Sequence, residues 1–261
     1  MPRLPAGVIP PGSRGRTLAA ALLLLVLGAL PAPGARALAW DGDGPALPKD
    51  GEADAEAVKG MDAKEKARRL RLAMDHVARD FAALKTLRAK FEQKKKLDVL
   101  EEEAVSRGSL AVAMPSKLRW EYAEPIKTLL VVNGDRARRE RASRKGEVTS
   151  TTFALKEDPV AAATTEQVFL WVGGRTAEAA KSHDIGLESE KPLRVRATPK
   201  DERVAKVIVD VDLEFSGDPV VLSRIVLNET SKTRTEISFS SVERNPDLAA
   251  DLFDVGEERG R

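Results

Sequence analysis

The side chains that most often do chemistry in proteins are scarce in this chain of 261 residues. Cysteine is absent, and the two histidines, His76 and His183, do not stand at metal-ligand spacing. Gly173-Gly174 lacks the lysine and hydroxyl residue of a phosphate-binding loop, and Gly108-Ser109 lacks the glycines that flank a serine nucleophile. The sequence therefore predicts no catalytic site, no metal and no cofactor.

The most concentrated charge is the run Arg136–Arg144, which reads RARRERASR and holds five arginines. It lies in a predicted strand and contains no aromatic side chain that could stack on bases, so it does not indicate a nucleic-acid partner. We interpret Arg136, Arg138 and Arg139 as a docking surface for an acidic partner. A charged strand that discourages aggregation between sheets remains an open alternative.

Most of the chain is predicted to form short antiparallel strands, because alternating apolar segments are joined by turn sequences such as Asn133-Gly134-Asp135 and Lys145-Gly146. About ten strands in one domain are enough to curl into a barrel-like sheet. The predicted strands are Leu97–Glu103, Val105–Ala113, Lys117–Ala123, Ile126–Asn133, Arg136–Ser143, Glu147–Ala154, Leu193–Thr198, Val204–Phe215, Val220–Glu229 and Thr233–Val242.

Helices are predicted on either side of the first strand block. An apolar stripe with a capping aspartate predicts one long helix over Asp62–Lys94. Asp158-Pro159 starts a second helix over Val160–Val172, and a short third helix follows at Thr176–Ser182. The two short helices fit a cover over one end of the sheet. A surface helix packed on an ordinary core is the alternative.

The ends of the chain have a different composition from the middle. The apolar run Leu18–Leu30 follows basic residues and precedes small ones, which predicts a signal peptide over residues 1–39, cleaved after Ala37 or Ala39. An uncleaved membrane anchor is the alternative. Residues 40–60 are predicted to be a flexible linker, 61–256 the folded domain and 257–261 a charged tail. Without the four leader arginines the chain has 39 basic and 41 acidic residues, so it is nearly neutral.

One stretch carries a more specific signal. Arg107–Pro125 reads RGSLAVAMPSKLRWEYAEP, in which two alternating runs flank a Met-Pro break and Leu118 and Trp120 share a face. This order resembles the outer-membrane lipoprotein carrier family, the LolA-type periplasmic chaperones. The resemblance extends, in order, through Phe81–Gln93, Val131–Asp135, Val195–Lys200, Leu222–Leu227, Thr235–Asn245 and Phe253-Asp254-Val255.

The resemblance implies an α+β, mainly β fold: an incomplete antiparallel β-barrel with a long N-terminal helix and short helices over its open end. It implies a monomeric periplasmic carrier that takes acylated lipoproteins from an inner-membrane ABC transporter to an outer-membrane receptor. A binding or sensing module for another lipid or for a protein partner is the alternative. The implied lipid-binding residues are Leu110, Val112, Leu118, Trp120, Leu129, Phe169 and Trp171.

One position departs from the pattern of that family. The best-known carriers have an arginine just before the proline of the strand break, where it tethers the cover to the barrel. Here the position is Met114, and Arg119 points to the other side of its strand. The resemblance therefore leaves open how the cover is held shut.

Overall fold

A computed structural model describes residues 51–97, 103–143 and 145–256 of the protein. The predicted signal peptide, residues 40–50 of the predicted linker and the predicted charged tail lie outside the described residues. Within those three ranges, no helix combines the length and the apolar character that crossing a membrane requires.

Helices and strands are numbered separately in chain order. The helices are α1 (Gly51–Lys59), α2 (Ala63–Ala82), α3 (Pro159–Trp171), α4 (Thr176–Ser182) and α5 (Glu202–Ala205). The strands are β1 (Thr86–Lys96), β2 (Glu103–Ala113), β3 (Lys117–Glu124), β4 (Thr128–Asn133), β5 (Arg136–Ala142), β6 (Val148–Ala154), β7 (His183–Glu190), β8 (Leu193–Pro199), β9 (Ile208–Ser216), β10 (Val221–Glu229) and β11 (Arg234–Arg244). Short 3₁₀ turns occupy Leu155–Glu157 and Ala250–Phe253.

All eleven strands form one antiparallel sheet in the order β6-β5-β4-β3-β2-β1-β11-β10-β9-β8-β7. The sheet is not closed, because β6 and β7 stand at opposite ends of that order. The predicted meander and the mainly β fold class are confirmed. The predicted turns are confirmed too, since Gly134 and Gly146 adopt φ values of 64° and 86° between strands.

The long N-terminal helix is shorter than predicted. Asp62 caps the start of helix α2, because its carboxylate accepts a hydrogen bond from the Glu65 amide at 2.8 Å, but the helix ends at Ala82 and not at Lys94. The Asn245 amide group binds the chain just past this end, accepting from the Lys85 amide at 2.7 Å and donating to the Ala83 carbonyl at 3.1 Å. Residues 86–96 then pair with β2 and β11, so distant partners override the local helical pattern.

Other boundaries also differ from the prediction. The predicted strand Leu97–Glu103 overlaps an observed strand only at Glu103, the first residue of β2, and its residues 98–102 lie outside the described residues. The first part of the predicted strand Val204–Phe215 is helix α5, which starts because the Asp201 carboxylate accepts from the Arg203 amide at 2.8 Å. Strand β7 was not predicted.

The second half of the predicted linker is helix α1. Its Val58 is buried, and its Asp54 carboxylate accepts hydrogen bonds at the β7–β8 turn from the Ser189 hydroxyl at 2.9 Å and the Lys191 amide at 3.1 Å. This polar segment is therefore held by a hairpin far away in the sequence, which its composition could not reveal. These hydrogen bonds lower the pKa of Asp54 against the opposing effect of desolvation.

The sheet buries residues on both of its faces. The inner face, defined here as the one that packs against α2 and α3, carries the main core. The outer face carries a smaller cluster in which residues of β2 and β4 pack under the C-terminal segment, residues 245–256. That segment is also held by hydrogen bonds to its carbonyls, including one from the Thr152 hydroxyl to Val255 at 3.0 Å. The smaller cluster consists of Ala111, Leu129, Val131, Phe253 and Val255.

Candidate functional site

The inner face of β2, β3 and β4 is an apolar surface arranged in rows. Trp120 stands opposite Leu110 on one side and Leu130 on the other, and opposed residues in a sheet share a face. In the next row Leu118 stands between Val112 and Val132 in the same way, and Leu118 is fully buried. These rows follow from the strict alternation of β3, where a charged residue separates each large apolar one.

An aromatic group extends this surface onto β1. The Phe91 ring centroid lies 4.9 Å from that of Trp120 and 5.1 Å from that of Tyr122. Gly108 stands between Phe91 and Tyr122 in the sheet, and a Cβ atom there would come within 1.9 Å of the Glu121 carbonyl oxygen and 2.6 Å of the Phe91 ring. The missing side chain at Gly108 is therefore what lets the rings meet across β2.

Helix α3 packs in the same core as this apolar surface with most of its residues buried, whereas Pro159 and Glu166 are exposed. Its sequence PVAAATTEQVFLW has no polar stripe, and four consecutive residues from Val168 to Trp171 are buried. Phe169 and Trp171 belong to the same core as Leu110 and Trp120. This packing is compatible with a cover and with a surface helix on an ordinary core, so the role of this segment as a cover stays a prediction.

Polar contacts hold both ends of α3. At its start, Asp158 accepts hydrogen bonds from the Val160 and Ala161 amides and pairs with the Arg139 guanidinium of β5 at 2.8 Å. Just past its end, the Arg175 guanidinium donates to the Pro115 carbonyl at 3.3 Å and lies 5.6 Å from the centre of the Phe169 ring.

The position of Met114 shows how the contact at the strand break is made without an arginine there. Met114 packs against the main core, and its Cε atom would lie 3.0 Å from a Cβ atom at Gly173. The turn at Met114-Pro115 therefore contacts the segment after α3 in two ways. Met114 packs near Gly173, and Arg175 of that same segment donates a hydrogen bond to Pro115.

The inner face turns polar at the far end of β1. The Tyr122 hydroxyl donates to the Gln93 side-chain oxygen at 2.8 Å, and burial raises the pKa of Tyr122. Burial lowers the pKa of Lys95, although the charge of Glu229 opposes this in part. One carboxylate oxygen of Glu229 and the Thr235 hydroxyl are buried without a hydrogen-bond partner in the described part of the chain.

Along the inner face, the site therefore changes from rows of apolar side chains to buried polar groups at the end of β1. Over residues 51–97, 103–143 and 145–256, no three histidine, aspartate or glutamate side chains are grouped so that they could hold a metal ion. The arrangement offers hydrocarbon surface in the rows and hydrogen-bonding groups at Gln93 and Lys95.

The structure brings together six of the seven residues predicted to bind lipid: Leu110, Val112, Leu118, Trp120, Phe169 and Trp171. The prediction of Leu129 is corrected, because Leu129 lies in the outer cluster under the C-terminal segment. Its neighbour Leu130 faces the site instead. Period-two alternation could not assign this strand, since Leu129–Val132 is apolar at every position and is covered on both faces.

Sequence reasoning also missed Phe91 and Gln93. The sequence held a signal for Phe91, because Leu87, Ala89 and Phe91 alternate with charged residues, but the helical interpretation concealed it. Gln93 is followed by three lysines and had no such signal. The three arginines predicted as a docking surface do not share a face. Arg139 is on the inner face, whereas Arg136 and Arg138 are on the outer face, where Arg136 donates to the Gly256 carbonyl at 3.3 Å.

Comparison with known proteins gives a consistent result. Residues 82–256 match the family model described as outer membrane lipoprotein carrier protein LolA. The outer-membrane lipoprotein carrier protein of Dechloromonas aromatica is 30% identical over 172 residues, which cover 65% of this chain and 76% of the relative. That of Nitrosomonas europaea is 27% identical over 148 residues, with 56% and 66% covered.

Solved structures resemble this one more distantly. The Mycobacterium tuberculosis lipoprotein LppX superposes with a TM-score of 0.39 at 10% identity, over 69% of this chain and 98% of LppX. A superposition this loose adds no support to the assignment.

Proposed function

Because the chain belongs to the outer-membrane lipoprotein carrier (LolA) family, we propose that it binds the acyl chains of lipoproteins on the inner face, under helix α3. The observation that carries this proposal is that an apolar helix covers an apolar sheet and is held at its ends by few polar contacts. Acyl chains that displace such a helix replace one apolar contact with another. Binding of an acyl chain would then change the total buried apolar area of the protein only slightly.

The energetics of the cargo explain why a carrier is needed. Burial of one methylene is worth about 0.8 kcal/mol, so an acyl chain of about sixteen carbons holds about 12 kcal/mol of unfavourable contact with water. A lipoprotein therefore crosses an aqueous compartment slowly unless a protein shields its chains. The rows around Leu118 and Trp120 supply the apolar surface for that shielding, and the buried polar groups near Lys95 would face the lipid's polar atoms.

The route of the cargo is part of the same proposal. With the predicted signal peptide removed, the protein would work in the periplasm, receive lipoproteins from an inner-membrane ABC transporter and release them to an outer-membrane receptor. We expect the transporter to supply the energy for transfer, because the proposed site of the carrier is an apolar surface and does not resemble a nucleotide-binding loop.

The first test uses the tryptophans of the site as reporters. In a Trp40→Phe variant, the two remaining tryptophans, Trp120 and Trp171, both belong to the inner core. A fatty acid with a nitroxide quencher on its chain should quench their fluorescence and saturate with concentration. Leu118→Gln should weaken that binding about tenfold, since it places a polar group in the apolar row.

The matched control is Leu129→Gln in the same sheet, whose side chain lies on the outer face. It should leave the affinity for the probe unchanged, provided that circular dichroism shows both variants folded. Equal effects of the two variants, or no quenching in the parent, would contradict acyl binding on the inner face.

Native mass spectrometry of protein purified from the periplasm then identifies the cargo. Co-purified triacylated lipoprotein would support the carrier function. A different free lipid would instead favour the binding or sensing module.

A further inference from the structure

The two edges of the open sheet are treated differently. Strand β7 is contacted by α1, α2 and α4, and its turn is held by Asp54. In the described part of the chain, no helix packs along β6 in a comparable way, and β6 is the last strand in the sheet order. Its outward backbone groups therefore form an unpaired strand edge.

The sequence of β6 suits pairing with another strand. It reads VTSTTFA, which is rich in β-branched residues and contains no charged residue and no proline. Residues 148–151 are exposed, and Val148 is 62% exposed although it is a large apolar residue. Edge strands that must avoid pairing usually carry lysine, proline or a covering element. Strand β6 contains no lysine or proline, and no helix of the described residues packs along it.

The arginines lie one strand in from this edge, on β5. Arg139 and Arg141 are on the inner face and Arg138 is on the outer face, so no partner that approaches a single face of the sheet meets all three. Arg141 is exposed and forms no ion pair with any described residue. Since the charges are not on the edge strand itself, they leave its backbone groups accessible and disfavour only an added strand that is itself basic.

A groove with a volume of about 370 Å³ lies along β5 and β6, beside the edge of the sheet. Carbon atoms make up most of its lining surface, but the lining also includes guanidinium and hydroxyl groups, which suit carboxylates as hydrogen-bond acceptors. The lining residues are Arg139, Arg141, Ala142, Ser143, Thr149 and Thr151.

We propose that β6 is a docking edge to which an acidic, extended segment of a partner protein adds as a further strand, its alternate carboxylates entering the groove beside Arg141. Strand addition supplies affinity through main-chain hydrogen bonds, and the arginines supply the charge preference. A second copy of this chain fits less well, because its own β5 would bring like charges to the junction. This inference goes beyond lipid binding and stands whether or not the cargo is a lipoprotein.

The test uses a short synthetic peptide in which aspartate and valine alternate, labelled with fluorescein, and follows its anisotropy with the full folded protein. We expect saturable binding that weakens as salt is added. Arg141→Glu should weaken binding about tenfold. Lys206→Glu makes the same change in net charge at an exposed position ahead of β9 and should leave binding unchanged.

Backbone pairing is tested with two modified peptides. In an extended strand, all aspartate amides point to one edge and all valine amides to the other, so methylation of one set blocks one edge only. We expect one methylated peptide to bind and the other to fail. Binding by both, equal effects of Arg141→Glu and Lys206→Glu, or self-association of the protein through β6 in place of peptide binding would overturn the proposal.

Discussion

Gly108 carries a packing role that no other residue type could fill, because the Phe91 ring and the Glu121 carbonyl occupy the space of its missing side chain. Gly108→Ala must push the ring or the strand aside, and overpacking of this kind costs about 1–3 kcal/mol. We expect that loss in the free energy of unfolding measured by urea titration. Gly186→Ala, in β7, is the control, because a Cβ atom there would point into open space, with no contact within 4 Å. A similar loss in both variants would contradict the packing role.

His183 links the cover to the sheet and makes its stability depend on pH. Its ring lies 5.1 Å from that of Trp171, and burial lowers its pKa, with an opposing contribution from the Ala179 carbonyl. Because the folded-state pKa is below the ordinary 6.5, the unfolded state takes up the proton first as pH falls. The contribution of His183 to stability is therefore complete above about pH 6.5 and is lost as pH falls through the folded-state pKa.

Urea unfolding of the parent and of His183→Gln over that pH range measures this contribution. We expect the stability of the parent to decline with acidification more steeply than that of the variant. His76→Gln, which removes the other imidazole of the chain, measures any contribution from that residue. The prediction fails if the parent and His183→Gln decline in parallel.

At the scale of the element, Asp158 performs two tasks at the start of α3, and two substitutions separate them. Asp158→Asn keeps an oxygen for the Val160 and Ala161 amides but removes the charge that pairs with Arg139. The pair is partly exposed, so its loss should cost about 0.2–1 kcal/mol. Asp158→Ala also removes the helix cap and should cost about 1 kcal/mol more.

Loss of the Arg139–Asp158 ion pair should change the rate at which helix α3 opens more than it changes the free energy of unfolding. We expect Asp158→Asn and Arg139→Met to raise the rate at which the quencher-labelled fatty acid enters, measured by stopped-flow fluorescence. Arg138→Met, on the outer face of the same strand, is the matched control. If the two β5 variants load at the same rate, the Arg139–Asp158 pair does not hold the cover.

The elements also show how far the sequence determines this fold. Alternation in β3 identified the inner residues Leu118 and Trp120 correctly, since its two faces differ in polarity. The end of α2 was not predictable locally, because the group that binds the chain there belongs to Asn245, about 160 residues away. The side of β4 that faces the site depends on the C-terminal segment, which covers Leu129 on the other face.

At the scale of the whole molecule, β2 to β4 separate two apolar regions that have different tasks. The inner region includes the cover and is proposed to open for cargo, whereas the outer one is closed by the chain's own C-terminal segment, whose carbonyls accept hydrogen bonds from Asn133 and Thr152. Phe253 is buried at the centre of the outer region. Stability and cargo binding should therefore respond separately to changes on the two faces.

Phe253→Ala tests that separation. It removes a buried ring that packs under β2 and β4, and such a change costs about 3–5 kcal/mol in the free energy of unfolding, measured by urea titration. The affinity for the quencher-labelled fatty acid should stay within about twofold of the parent, a difference of about 0.4 kcal/mol, because the site is on the other face. Loss of acyl binding in a variant that is still folded would show that the C-terminal segment supports the inner site through the sheet.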